Sequence, residues 1–332
     1  MRFSRRQFLR STLLLLGYRG GSNALVLPQP DDDLTGHIRP VHDPCIIRAG
    51  GTYYLFCTGP GIPIRTSTDL IHWELRGDVF DRLPSWAVEQ VPGTEGFWAP
   101  DISYFNDRYH LYYSISTFGS NRSRIGLATT PTLDPAADDY QWVDHGLVIA
   151  SEHSDDWNAI DANLFMDEDG SVWLLYGSFW SGIKMRRLDY ATGMLSADDT
   201  TLYDLATRTE NSGSVEAPFL IRRGDYYYLF VSFDFCCRGY GSTYRVMVGR
   251  ADAVTGPYVD REGVAMLRGG GTQVTFATPR WRGPGHNAIL QEGDETWIVY
   301  HSYDTTYNSI PTLRIQLLVW DDDGWPSIPE DS

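Results

Sequence analysis

The chain has 332 residues, 42% hydrophobic and 14% aromatic, enough to bury one large core or two smaller ones. Its formal net charge of −16 disfavours a nucleic-acid or anionic-membrane partner by simple repulsion and is compatible with a neutral substrate. Eleven Trp, 20 Tyr, 32 Gly and 18 Pro favour many short strands joined by tight turns.

The first residues differ in kind from the rest. Ser4-Arg5-Arg6-Gln7-Phe8-Leu9 matches a twin-arginine export signature and leads into the apolar run Leu13 to Leu16. Small residues at Ser22 and Ala24 suit a signal peptidase, so residues 1–24 are expected to be a removable export signal and 25–35 a linker. No segment approaches the ~20 apolar residues of a membrane span. A periplasmic or extracellular protein, free of the membrane after processing and monomeric, is expected. Four cysteines, Cys45, Cys57 and the adjacent Cys236-Cys237, are too few for a disulfide scaffold and lack zinc-site spacing. Whether any pair oxidises is not legible from spacing.

From residue 36 to 328 the chain returns five times to one pattern of a polar start, a short apolar run, a turn and an aromatic strand. The starts are Asp43-Pro44-Cys45, Ala99-Pro100-Asp101, Asp161-Ala162-Asn163, Glu216-Ala217-Pro218 and His286-Asn287-Ala288. About ten residues later each meets a second strand, near Tyr53, Tyr109, Val172, Tyr226 and Thr296, with a turn signal between such as Gly50-Gly51 or Asn106-Asp107. Third strands follow at Ile64 to Thr66, Ile125 to Ala128, Ile183 to Leu188, Tyr244 to Arg250 and Leu313 to Leu318. Fourth segments are expected at Asp69 to Trp73 and Thr255 to Tyr258. The pattern predicts one all-β domain, a five-bladed β-propeller of four-stranded antiparallel blades, because a lone blade cannot bury both its faces.

The innermost strands of a propeller run the same way along the central axis, so their first residues converge at one mouth. Asp43, Asp161, Glu216, His286 and Trp98 are therefore predicted to share an opening. Singly each has a plain structural reading: Asp43 before Pro44 is a common turn pair, and Trp98 could be core packing. Together, three acids at one mouth repel and lose solvation, which a purely structural propeller gains nothing from. Glycoside hydrolysis requires such acids, one to protonate the leaving oxygen and one to activate water or attack carbon. The apolar flanks of Glu216 favour its neutral form, and His42-Asp43 is a more polar start suited to an ionised base.

Several pieces resemble glycoside hydrolase family 43, particularly its endo-α-1,5-L-arabinanases, across essentially the whole mature chain. They are His42-Asp43-Pro44, Trp98-Ala99-Pro100-Asp101, Ile160-Asp161-Ala162-Asn163, Tyr176-Gly177-Ser178-Phe179-Trp180, Ser214-Val215-Glu216-Ala217-Pro218, Cys236-Cys237-Arg238-Gly239 and Gly283-Pro284-Gly285-His286-Asn287. The resemblance implies inverting cleavage of arabinan or arabino-oligosaccharides, with Asp43 as general base, Glu216 as general acid and Asp161 orienting Glu216 and holding up its pKa. It further implies Trp98 and Phe118 as platforms for arabinose rings, Asn163 and Ser178 as hydrogen-bond partners of sugar hydroxyls, and His286 beside a channel ion such as calcium, with no organic cofactor. The chain departs from the family at Ala162, where many relatives carry proline, and at Thr272 to Phe276, which reads against the family as a longer insertion able to line the substrate groove. An exo-acting arabinofuranosidase or β-xylosidase of the same family would share the three acids. A sugar-binding propeller without catalysis would leave those acids unexplained, and the Trp-Asp repeat signature of interaction scaffolds is missing.

Overall fold

A computed structural model describes residues 34–329, and five sheets account for nearly all of its regular structure. The export signature and most of the expected linker lie outside the described residues. The first blade comprises Cys45–Ala49, Thr52–Phe56, Pro63–Ser67 and His72–Asp78, widened by a short strand Thr35–Gly36 that runs parallel to its outer edge. Blades two to five begin with the inner strands Trp98–Phe105, Asn163–Met166, Val215–Arg223 and Trp281–Glu292. Within each, neighbouring strands pair antiparallel in chain order.

The turn chemistry explains the hairpins. Phe105 pairs with Arg108 across Asn106-Asp107, both at positive φ (46° and 58°), the two-residue turn whose twist matches that of the strands it joins. Gly50, Gly224 and Gly293 open the equivalent two-residue turns of blades one, four and five, each near φ 60°. Blade three instead uses the longer loop 167–171.

Five apolar clusters fill the five seams between blades. Ile64 and Phe56 meet Leu111 and Ile115 between blades one and two; Leu127 and Ile125 meet Leu164 and Leu174 between two and three. Leu175 and Met185 pack on Leu229 and Val231, and Phe230 and Val248 on Ile298 and Leu318. The fifth seam sets Leu55, Tyr53 and Trp73 of the first blade against Leu290, Trp297 and Val299 of the last, so the ring is closed. Backbone bonds from Val41 N–H to Pro311 O (3.0 Å) and from Leu313 N–H to Ile38 O (3.0 Å) lace the closure.

The outer edge of the fourth blade differs from the sequence expectation. Thr272–Gln273, read as an insertion, is its fourth strand, paired with Met247 and Val248. Thr255 to Tyr258 instead forms a turn in which the Tyr258 hydroxyl donates to Val254 O (2.7 Å). Tyr258 is buried in the seam core, so its apolar signal comes from packing and not from a strand.

Candidate active site

One cleft of about 720 Å3 opens at the mouth where the inner strands begin, and Asp43, Asp161, Glu216, His286 and Trp98 all line it. The residues around it are held in uncommon backbone conformations. Asp43 (φ 52°), Asp161 (φ 59°), Ala217 (φ 54°) and His286 (φ 50°) are all left-handed, a region that costs a residue with a side chain about 1 kcal/mol or more. Neighbouring blades supply the restraint. The Asp43 N–H donates to His301 Nδ1 (3.1 Å), the Asp161 N–H to Ser114 Oγ (3.0 Å) and the His286 N–H to Ser232 Oγ (2.8 Å). In each case the acceptor stands on the second strand of the preceding blade. The Ala217 N–H is taken by Asp161 Oδ2 (3.1 Å), which ties the acid segment of blade four to blade three.

The three buried carboxyls have different surroundings. Asp43 Oδ2 accepts from Thr58 Oγ1 (2.6 Å) and lies 2.8 Å from His42 Nδ1, and its Oδ1 lies 3.0 Å from His286 Nδ1. Burial alone would push Asp43 up, but the charge and hydrogen bonds of His42 and His286 hold it well below the ordinary carboxylate range. Glu216 accepts from Ser178 Oγ (2.6 Å) on Oε2 and from Tyr244 Oη (2.7 Å) on Oε1. Its pKa is raised, chiefly by burial, against the lowering effect of those two donors and of His286. Burial also raises Asp161 well above its usual value, and the neighbouring Glu216 and Asp43 carboxyls add to this while His286 opposes it. Two buried carboxyls so close give up their last proton reluctantly. Asp43 is thus an ionised group and Glu216 a proton carrier in one cleft.

His286 is pulled both ways: burial lowers its pKa, and the Asp43 carboxylate, with Asp161 and Glu216, raises it to about 9. As an imidazolium it has no lone pair for a cation. As a neutral ring bonded to Asp43 through Nδ1 it keeps only Nε2, whereas calcium takes six to eight oxygens. Among the described residues, no group of three His, Cys, Asp or Glu ligand atoms close enough to hold an ion includes His286. Nε2 is then the one atom of His286 open to a channel ion, and oxygens from elsewhere would have to complete its shell.

Two side chains expected at the sugar have protein partners. Asn163 does not line the cleft; it is buried, donating from Nδ2 to Asp101 Oδ1 (3.3 Å) and accepting the Leu220 N–H on Oδ1 (2.9 Å). Asp101 Oδ2 takes the Leu164 N–H (2.8 Å), so the two side chains form a belt joining blades two, three and four, and both ends of the Asn163 amide are used. Burial drives the Asp101 pKa up to about 7, against the Leu164 and Asn163 bonds. Ser178 lines the cleft and gives its proton to Glu216, so toward a sugar hydroxyl it can act only as an acceptor. Trp98 and Phe118 do line it, with ring centroids 4.9 Å apart and Phe118 78% exposed. The segment 272–276 stays outside its lining.

Sequence reasoning passed over His301, Tyr244, Tyr303 and Thr58, which position the carboxyls, and the exposed aromatic Trp180 on the cleft wall. Exposed aromatics gathered in a cleft have no folding rationale and mark a binding face. Cys236 and Cys237 also line the cleft and are joined by a disulfide; Cys45 and Cys57 are free and buried.

Comparison with known proteins bears on this site. A family model described as Glycosyl hydrolases family 43 matches residues 39–326. An extracellular endo-α-(1→5)-L-arabinanase of Bacillus subtilis (strain 168) is 43% identical over 292 residues, covering 86% of this chain and 87% of that one. An extracellular exo-α-(1→5)-L-arabinofuranosidase of Cellvibrio japonicus (strain Ueda107) is 42% identical over 302 residues, covering 87% and 86%. The structure of a Cellvibrio cellulosa α-L-arabinanase complexed with arabinohexaose superposes with a TM-score of 0.84 at 40% identity, covering 88% of this chain and 96% of that one.

Proposed function

Because the chain belongs to glycosyl hydrolases family 43, and is therefore a glycoside hydrolase, we propose that it cuts internal α-1,5-L-arabinofuranosidic linkages of arabinan with inversion. What carries the mechanism is the contrast between two carboxyls in one cleft, Asp43 bonded to His42, His286 and Thr58 and so favoured as the anion, and Glu216 pushed toward its protonated form by burial. Asp43 takes a proton from water as the water oxygen bonds to the anomeric carbon. The bond from that carbon to the bridging oxygen breaks, and Glu216 gives its proton to the departing oxygen. Asp161, bonded to the Ala217 N–H, fixes the backbone beside Glu216 and helps it keep its proton. Exchange with solvent resets both groups.

Trp98 and Phe118, with ring centroids 4.9 Å apart, supply apolar faces for arabinose rings, and Trp180 lines the same cleft. Three aromatic rings in one cleft suit a run of sugar residues, which favours internal cutting. Time-resolved product analysis on debranched arabinan tests this. Early oligosaccharides support internal cutting, whereas arabinose alone from the start identifies an exo-acting enzyme. Binding without hydrolysis would identify a non-catalytic propeller. The relatives' extracellular location and the Arg5-Arg6 signature support export by the twin-arginine route. Retention of an Arg5→Lys/Arg6→Lys variant in the cytoplasm is the expected outcome.

A further inference from the structure

The Cys236–Cys237 disulfide stands at the end of an unbroken hydrogen-bond chain that reaches Asp43. The Cys237 N–H donates to Tyr303 Oη (2.7 Å), Tyr303 Oη lies 2.8 Å from His42 Nε2, and His42 Nδ1 lies 2.8 Å from Asp43 Oδ2. Donor counting orients the chain when His42 is neutral. Tyr303 Oη accepts the Cys237 N–H, and its own proton can then go to His42 Nε2. At the far end Asp43 is an ionised acceptor, so His42 Nδ1 must carry a proton. A neutral His42 with its proton on Nδ1 satisfies both ends of the chain. The His42 ring is further pinned by stacking on His301, with centroids 3.9 Å apart.

We propose that the vicinal disulfide is a redox-sensitive positioning element, which through Tyr303 and His42 fixes the orientation of the Asp43 carboxylate. Cys237 sits at φ 64°, a left-handed conformation that a side-chain-bearing residue abandons when nothing holds it. The covalent link to Cys236 holds it and aims its N–H at Tyr303. An external dithiol cleaves the link by giving up two electrons and two protons, leaving two thiols and its own disulfide. Cys237 is exposed in the cleft, so such a reagent reaches it. Once the turn relaxes, Tyr303 loses the donor that directs its proton to His42, and Asp43 loses a fixed partner. Tyr303 and His42 are positioning residues in this scheme, which rests on Asp43 acting as the base.

The test combines a spectrum and a rate. In protein labelled with 15N-histidine, the oxidised form is expected to show the His42 proton on Nδ1; after dithiol treatment the ring becomes a mixture of tautomers. Reduction, verified by mass, should lower kcat on debranched arabinan about tenfold with a smaller effect on KM, and reoxidation should restore it. Tyr303→Phe should already have the lowered kcat and respond to reduction by about twofold at most, because the chain is cut. The proposal is overturned by verified reduction that leaves kcat unchanged, by an equal fall in wild type and Tyr303→Phe, or by a His42 proton on Nε2 in the oxidised protein. An equal fall would mean that the cysteines act by touching substrate. Hydrolysis surviving in Asp43→Ala would instead remove the base assignment, and the spectral result stands apart from that.

Discussion

Replacing Tyr244 by Phe deletes a single hydroxyl and leaves the ring that packs against Gly285. That hydroxyl donates 2.7 Å to Glu216 Oε1, a bond that stabilises the ionised carboxyl and so opposes the upward push of burial. A buried hydrogen bond to a charged group contributes about 1.5–3 kcal/mol. Without it Glu216 keeps its proton to higher pH. Glu216 works as the acid only while protonated, so the basic limb of the kcat/KM profile should move upward, by about a pH unit or more. The acidic limb, set by Asp43, should stay in place because Tyr244 does not touch Asp43. The assay is the initial rate on debranched arabinan across pH, with a melting curve to show that the fold is kept. A basic limb that moves down, or stays put while the acidic limb shifts, would refute the assignment of Glu216 as the proton donor.

Thr58→Val removes the 2.6 Å bond to ionised Asp43 Oδ2, so the acidic limb should move upward while the basic limb holds, in the same rate assay. Asp43→Ala should lower kcat by about 10³-fold yet still bind arabino-oligosaccharides in calorimetry. Trp98→Ala should raise KM about tenfold with little change in kcat, as expected for loss of a ring-stacking face. Gly285→Ala puts a Cβ into the Tyr244 ring, and should cost about 1–3 kcal/mol in urea melts while lowering kcat through the displaced Tyr244.

What the sequence made legible was set by repetition. The inner-strand starts recur at one place in each repeat, and that regularity alone assigns Asp43, Asp161, Glu216, His286 and Trp98 to one opening, where the structure has them. The supporting residues follow no such period. His301, Ser114 and Ser232 reach across a seam to the next blade, so each partner lies far away in the chain and no local motif announces it. Asn163 illustrates the limit: the family resemblance implied a sugar contact for it, but Asp101 and Leu220 occupy both ends of its amide. The two-residue edge strand Thr272–Gln273 was missed because two residues carry no alternation to read, while buried Tyr258 offered a stronger apolar signal nearby. The disulfide could not be inferred from adjacency, since neighbouring cysteines can equally stay reduced; its cleft position gives it meaning.

The division of labour between Asp43 and Glu216 is tested most directly by the configuration of the first sugar released. Proton NMR within the first turnovers on an α-linked arabino-oligosaccharide should show the β-anomer at the new reducing end, because water activated by Asp43 enters opposite the bond that Glu216 helps to break. The α-anomer appearing first would mean that a carboxylate bonds to the sugar, and Asp43 could then not be the base that activates water nor Glu216 an acid that acts only once.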